Sequence, residues 1–227
     1  RVLRDHHVLL SAKLIPVEPR VVRHEELVST AHHEQLGQGV VPGQIVVRVD
    51  ELREQGRGWV PYVAPLHGGT DAQVLSILRD PGPATQDNTG SGFVCTENND
   101  GSAEFQANLL EVVGLSPRVL LPWNAYPWYI NRAPKTAEID AGVPTILRLL
   151  QLAPDVSVVL LQGGDAWRAW DRLLRQAPAL ERERNLAIVR TFHPSPQALF
   201  VKDPEERARR VARRREAFQE VAAALGA

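Results

Sequence analysis

The chain has 227 residues, 44% of them apolar, and a formal net charge of −1. That is the profile of a soluble globular chain of one domain, and it argues against bulk binding to polyanions while leaving room for a local basic face. A single cysteine, Cys95, excludes a disulfide framework, a four-thiolate zinc site and a cysteine-ligated iron–sulfur cluster, and it fits a cytoplasmic protein.

No apolar run approaches the ~20 residues of a membrane helix, and the opening residues lack a signal-peptide pattern. The expectation is a cytoplasmic monomer without membrane contact. Residues 1–70 are broken by Pro16, Pro19, Pro42, Pro61 and Pro65 and read as an N-terminal extension of the same domain. Within them, residues 45–49 (IVVRV) read as a short strand and residues 31–36 as part of a helix. His6, His7, His24, His32 and His33 cluster here. His24-Glu25 is not followed by a histidine three places after Glu25, so the zinc-protease spacing is absent, and solvated imidazoles rather than a metal site are expected.

From residue 71 to 227 the pattern alternates. Residues 73–83 read QVLSILRDPGP: Val74, Leu75, Ile77 and Leu78 form the apolar run of a strand buried on both faces, which halts at Arg79-Asp80-Pro81-Gly82-Pro83. Residues 103–113 have helical spacing. Residues 118–121 read as a second strand running into Pro122-Trp123-Asn124. Residues 136–152 read as a helix that Pro144 kinks or splits. Residues 156–161 form a third strand, 165–176 a helix, and 186–191 a fourth strand that ends in Phe192-His193-Pro194-Ser195-Pro196. A last helix opens at Asp203, with Pro204 in its first position and Glu206 three residues on. Strand–helix alternation of this kind predicts an α/β three-layer sandwich: a central four-stranded parallel sheet with helices on both faces.

No G-x-G-x-x-G and no phosphate loop is present, which disfavours a nucleotide cofactor; no cofactor is expected. Three strand ends carry polar groups at comparable positions: Asp80, Asn124 and His193. Parallel strands bring such ends to one edge of the sheet, where open α/β folds place ligands. Asn124 offers a donor and an acceptor in one plane, which suits the edge of a pyrimidine. Phe93, Trp123, Tyr126, Trp128 and Tyr129 offer faces for stacking. Each has an ordinary structural alternative: a turn for Asp80 and Asn124, a buried imidazole for His193, core packing for the aromatics.

Together these residues resemble the uracil-DNA glycosylase superfamily. Asp80-Pro81 matches the D-P of its G-Q-D-P-Y-H motif, with Arg79 in place of the Gln. Phe93 follows Asp80 at the spacing of the family's stacking Phe. Leu120-Leu121-Pro122-Trp123-Asn124-Ala125 resembles L-L-L-N-A, and His193-Pro194-Ser195-Pro196 is the intact H-P-S-P loop. The resemblance spans about residues 69–227 and implies a glycosylase that flips a nucleotide out of DNA. In it Phe93 would stack on the base and Asn124 would bind its edge, with Arg79 and Gly82 beside it. Asp80 would stabilise the sugar cation and orient or activate water, and His193 would donate to the departing base. Pro194, Ser195, Pro196, Gln197 and Leu199 would touch DNA, with Leu199 or Phe200 as wedge. The scarcity of lysine (Lys13, Lys135 and Lys202) fits water, not an amine, as nucleophile.

Gly82 replaces the Tyr that excludes thymine in uracil-specific relatives. Either another side chain supplies that wall and uracil is the substrate, or the opening is real and admits a pyrimidine with a bulky C5 group, as in hypermodified phage DNA. Repair, antiviral defence and a non-catalytic DNA-binding module of the same fold all remain open at this point. The Arg-rich stretch 207–215 is expected to dock an apolar face (Val211, Phe218, Val221, Leu225) and leave its arginines in solvent.

Overall fold

Four apolar runs, each too short for a helix and rich in Val, Leu and Ile, become the four strands of one parallel sheet. In the computed structural model, which describes residues 42–227, these are β2 (Val74–Leu78), β4 (Leu120–Asn124), β5 (Val158–Gln162) and β6 (Ala187–Thr191), in the spatial order β4-β2-β5-β6. The five histidines at 6, 7, 24, 32 and 33 and the helix expected at 31–36 lie outside the described residues.

Side chains alternate between two apolar layers. Leu75, Ile77, Leu121, Trp123, Val159 and Leu161 belong to the larger one, which they share with helices α1 (Pro42–Arg53), α3 (Thr136–Leu152) and α4 (Gly164–Gln176). Val74, Leu120, Val158, Leu160 and Val189 face the other, built with α2 (Gly101–Val112) and the long C-terminal α6 (Pro204–Leu225). A one-turn helix, α5 (Leu180–Glu183), precedes β6. This is the expected α/β sandwich. Two-residue strands β1 (Tyr62–Val63) and β3 (Phe93–Val94) pair in parallel as a separate small sheet. Among the described residues, no helix is long and apolar enough to cross a membrane.

Some local expectations are corrected. Residues 45–49 are not a strand but part of α1. Ile45, Val49 and Leu52, at helical spacing, are buried in the larger core, and that packing overrides the β-propensity of the run. The second strand starts after a 3₁₀ turn (Pro117–Val119) and includes Pro122 and Asn124. Proline is tolerated there because β4 is an edge strand. Helix α3 runs through Pro144 unsplit. It packs so closely on the end of β4 that a Cβ on Gly142 would lie 1.9 Å from the Ala125 carbonyl oxygen. At the start of α6, Asp203 caps the Glu205 amide as expected. Glu206 does not close a capping box and instead pairs with Arg209 and Arg210.

The chain leaves β2 toward α2 on one face and leaves β5 toward α4 on the other. The crevice between these two central strands, at their carboxyl ends, is the topological switch point of the sheet.

Candidate active site

A cavity of about 750 Å³ opens at that switch point. Every strand of the sheet delivers to it: Arg79 through Thr85 follow β2, Asn124 ends β4, Gln162 ends β5 with Gly163 and Gly164 behind it, and His193, Ser195, Pro196 and Gln197 follow β6. Residues 94–96 and the start of α2 complete the wall. The three polar strand ends singled out from the sequence therefore meet in one place.

Asp80 is buried. The Nε of Arg79 donates to its Oδ1, while Oδ2 is buried without a hydrogen-bond partner. Burial pushes the Asp80 pKa up. Arg79 pulls it back, helped by the nearby backbone amides of Asn131 and Ile130. An unpartnered, desolvated carboxylate oxygen is costly to a fold and is the kind of group that active sites retain.

Asn124 is aligned by the sheet: it pairs in register with Leu78, and the Ala125 amide donates to the Leu78 carbonyl at 2.8 Å. It is buried, and it lines the cavity. No described residue hydrogen-bonds its carboxamide, so that amide edge is available to a ligand.

His193 has its protonation and tautomer fixed by its surroundings. The Ser195 amide donates to Nδ1 at 3.1 Å, so the ring proton resides on Nε2. Burial, with the charges of Arg79 and Arg214, holds its pKa down at about 4. At neutral pH it is a neutral hydrogen-bond donor. Arg214 is the residue that holds this loop, donating from Nη2 to the carbonyls of His193 and Ser195 while its guanidinium lies 4.9 Å from the Phe105 ring centre.

Scanning against protein-family models and against curated proteins gives no match to this chain.

The remaining candidates separate. Gly82 lines the cavity in an ordinary extended conformation, and a Cβ there would meet nothing within 4 Å. Ser195, Pro196 and Gln197 line the rim; Pro194 is buried, and neither it nor Leu199 is on the cavity wall. Phe200 is 80% exposed.

Phe93 is not on the wall. Its ring packs with Ala64 and Cys95, with the Tyr62 ring 6.4 Å away, and it is Val94 and Cys95 that face the cavity. Trp123, Tyr126 and Trp128 are likewise core, not stacking faces. Trp123 donates to the Thr145 hydroxyl, Trp128 donates to the Leu52 carbonyl, and Tyr126 packs on Trp128. Among the described residues no Phe, Tyr or Trp lines the cavity.

Three contributors went unread in the sequence. Gln162 occupies the one strand end not singled out, and its amide donates to Ser76 and to Gln106 in a buried polar chain at the cavity floor. Thr96 presents a buried hydroxyl without a partner. Arg214, expected in solvent, is buried. The strand-end position of Gln162 was a usable signal; nothing in the local pattern of 207–215 distinguishes Arg214 from its neighbours. Among the described residues no cluster of His, Cys, Asp and Glu could hold a metal. Cys95 is buried and its thiol pKa is pushed up to about 11, which makes it a poor nucleophile.

Proposed function

We propose that this chain is a monofunctional DNA glycosylase that hydrolyses the N-glycosidic bond of a pyrimidine flipped out of DNA. The observation that carries the reading is the convergence of Asp80, Asn124 and His193 on one cavity at the carboxyl edge of the sheet, with His193 held as a neutral Nε2–H donor. Asn124 would read the base edge. As the bond from C1′ to the base breaks, its electron pair passes to the base, whose carbonyl oxygen takes a hydrogen bond from His193 Nε2. Preorganised donors of this kind are worth about 10²–10³ in rate. Water adds to C1′ and gives its proton to Asp80, whose negative charge also stabilises the cationic sugar. No Phe, Tyr or Trp lines the cavity, so this reading contains no aromatic stack from Phe93. Ser195, Pro196 and Gln197 would meet the DNA backbone, and the exposed Phe200, in preference to Leu199, would fill the gap left in the helix.

The open space at Gly82 favours a base with a bulky C5 group over uracil, and with it a role against DNA carrying modified bases. The test is mass spectrometry of free bases released from DNAs containing uracil, normal bases or bulky C5-modified pyrimidines. Gly82→Tyr should abolish release of the bulky base and spare release of uracil. Rejection of every bulky base by the wild type, with the variant behaving alike, would make the enzyme a uracil glycosylase. DNA binding without release of any base would leave a binding module.

A further inference from the structure

The place of Arg79 in the cavity gives it work that a neutral side chain could not do. Arg79 follows the last residue of β2, its carbonyl accepts from the Tyr126 amide at 3.0 Å, and its side chain lines the same cavity as Asp80 and His193. The ion pair is asymmetric: the Arg79 side chain is 38% exposed and that of Asp80 only 1%. A cation at the mouth thus covers an anion in the wall. Of the two carboxylate oxygens, Arg79 engages Oδ1 alone.

We propose that Arg79 is a positioning residue that couples the two reacting groups: its guanidinium holds Oδ1 of Asp80 and favours the ionised carboxylate, and its charge acts on His193 from the same cavity. The inference rests on the glycosylase reading for its consequence in catalysis, but not for its electrostatics.

The tether matters because a carboxylate can turn about its terminal bond. Fixing one oxygen removes that freedom and holds the carboxylate in one orientation. The charge matters because Asp80 must be ionised while His193 must be neutral. Desolvation opposes the first, and Arg79 offsets it; Arg79 also disfavours a proton on His193. A single cation therefore favours the working state of both groups.

Other charged groups around Asp80 do not replace it. Arg132, in the segment between β4 and α3, is engaged with Glu138. At the start of α4, Asp165 pairs with Arg168. At the cap of α2, the Asp100 carboxylate accepts from the amides of Ser102 and Ala103. His193 is neutral, and Arg214 lies behind it on the loop carbonyls.

The experiment compares wild type, Arg79→Gln and Arg79→Lys by NMR titration of the Asp80 carboxyl and the His193 ring, alongside the pH profile of base release. In Arg79→Gln the Asp80 titration should move to higher pH and that of His193 should rise above about 4. The acid limb of the rate profile should follow Asp80. In the acid range the variant should lose about tenfold in rate for each pH unit that the limb moves, and it should regain ground in alkali. Arg79→Lys, which restores the charge without the planar fork, should bring the titrations back toward wild type. Unmoved titrations in Arg79→Gln, or a rate loss equal at every pH, would overturn the proposal and leave Arg79 a packing residue. If the wild type releases no base from any DNA, the glycosylase reading fails, and the titrations still decide the role of Arg79.

Discussion

Gly163 is the backbone position on which the placement of His193 most directly depends. It adopts φ 101° and ψ 164°, a region closed to residues with a side chain at about 1–3 kcal/mol. A Cβ there would lie 3.1 Å from the Cβ of His193 and 3.4 Å from its backbone nitrogen. Gly163 cannot retreat, because its amide donates to the Thr191 carbonyl at 2.8 Å, a bond worth about 0.5–1.5 kcal/mol. Gly163→Ala must therefore accept the strain, break that bond or push the His193 loop aside. The expected cost is roughly 2–4 kcal/mol, which at ~2–4 °C per kcal/mol lowers Tm by roughly 5–15 °C. If base release runs through His193 as proposed, displacing that donor by as little as ~1 Å costs on the order of 10² in rate. Base release should therefore fall further than the loss of folded protein explains. Thermal denaturation and base release at a temperature where the variant is folded separate the two effects. A Tm within about 2 °C of wild type, together with an unmoved His193 titration, would refute the reasoning.

Asp80→Asn should lose base release by about 10² or more while binding DNA, and near-normal turnover would remove Asp80 from the mechanism. Its stability has a sign as well. Burial raises the pKa of Asp80 in the folded state, so folding prefers the protonated form; that preference is present in acid and lost as pH rises through the folded value. Asn should accordingly raise Tm at neutral pH, and the gain should vanish in acid, as melting curves across pH would show. His67 has the opposite sign. It is buried between the Pro117 carbonyl, 3.1 Å from Nδ1, and the Thr96 amide, which donates to Nε2, and its pKa is held at about 4. Its contribution is therefore full above the ordinary histidine range and is lost as pH falls toward 4, about 3 kcal/mol in all. His67→Gln should flatten that part of the curve of stability against pH, and an unchanged curve would exclude His67 as its source.

The sheet was legible in the sequence because three of its strands, β2, β4 and β5, are buried on both faces. A run such as VSVVLL states its environment in every residue, and parallel strands then bring Asp80, Asn124 and His193 to one edge without further information. What stayed hidden depends on contacts between distant segments. The run IVVRV is the same string whether it pairs or packs, and only the pocket that buries Ile45, Val49 and Leu52 makes it a helix. Strands of two residues, such as β1 and β3, carry no period to read. The aromatic cluster offered stacking faces by composition, yet Trp123 and Trp128 turned inward because Thr145 and the Leu52 carbonyl could satisfy their ring N–H groups. Arg214 shows the limit most sharply. A guanidinium among arginines reads as solvent-facing, and its burial is set by two carbonyls of a loop about twenty residues earlier in the chain.

That last contact orders events in time. β6 is an edge strand whose solvent side is largely exposed, held by β5 on one flank and by α6 across its face. Arg213 and Arg214 of α6 grip the Arg190 carbonyl and the His193 loop. During synthesis Asp80 and Asn124 emerge long before the helix that fixes His193, so a growing chain holds two-thirds of the site with nothing to complete it. The cavity gains its His193 wall only when α6 closes onto the sheet. Truncation before Arg213 should thus free the His193 loop while leaving Asp80 and Asn124 at the ends of β2 and β4.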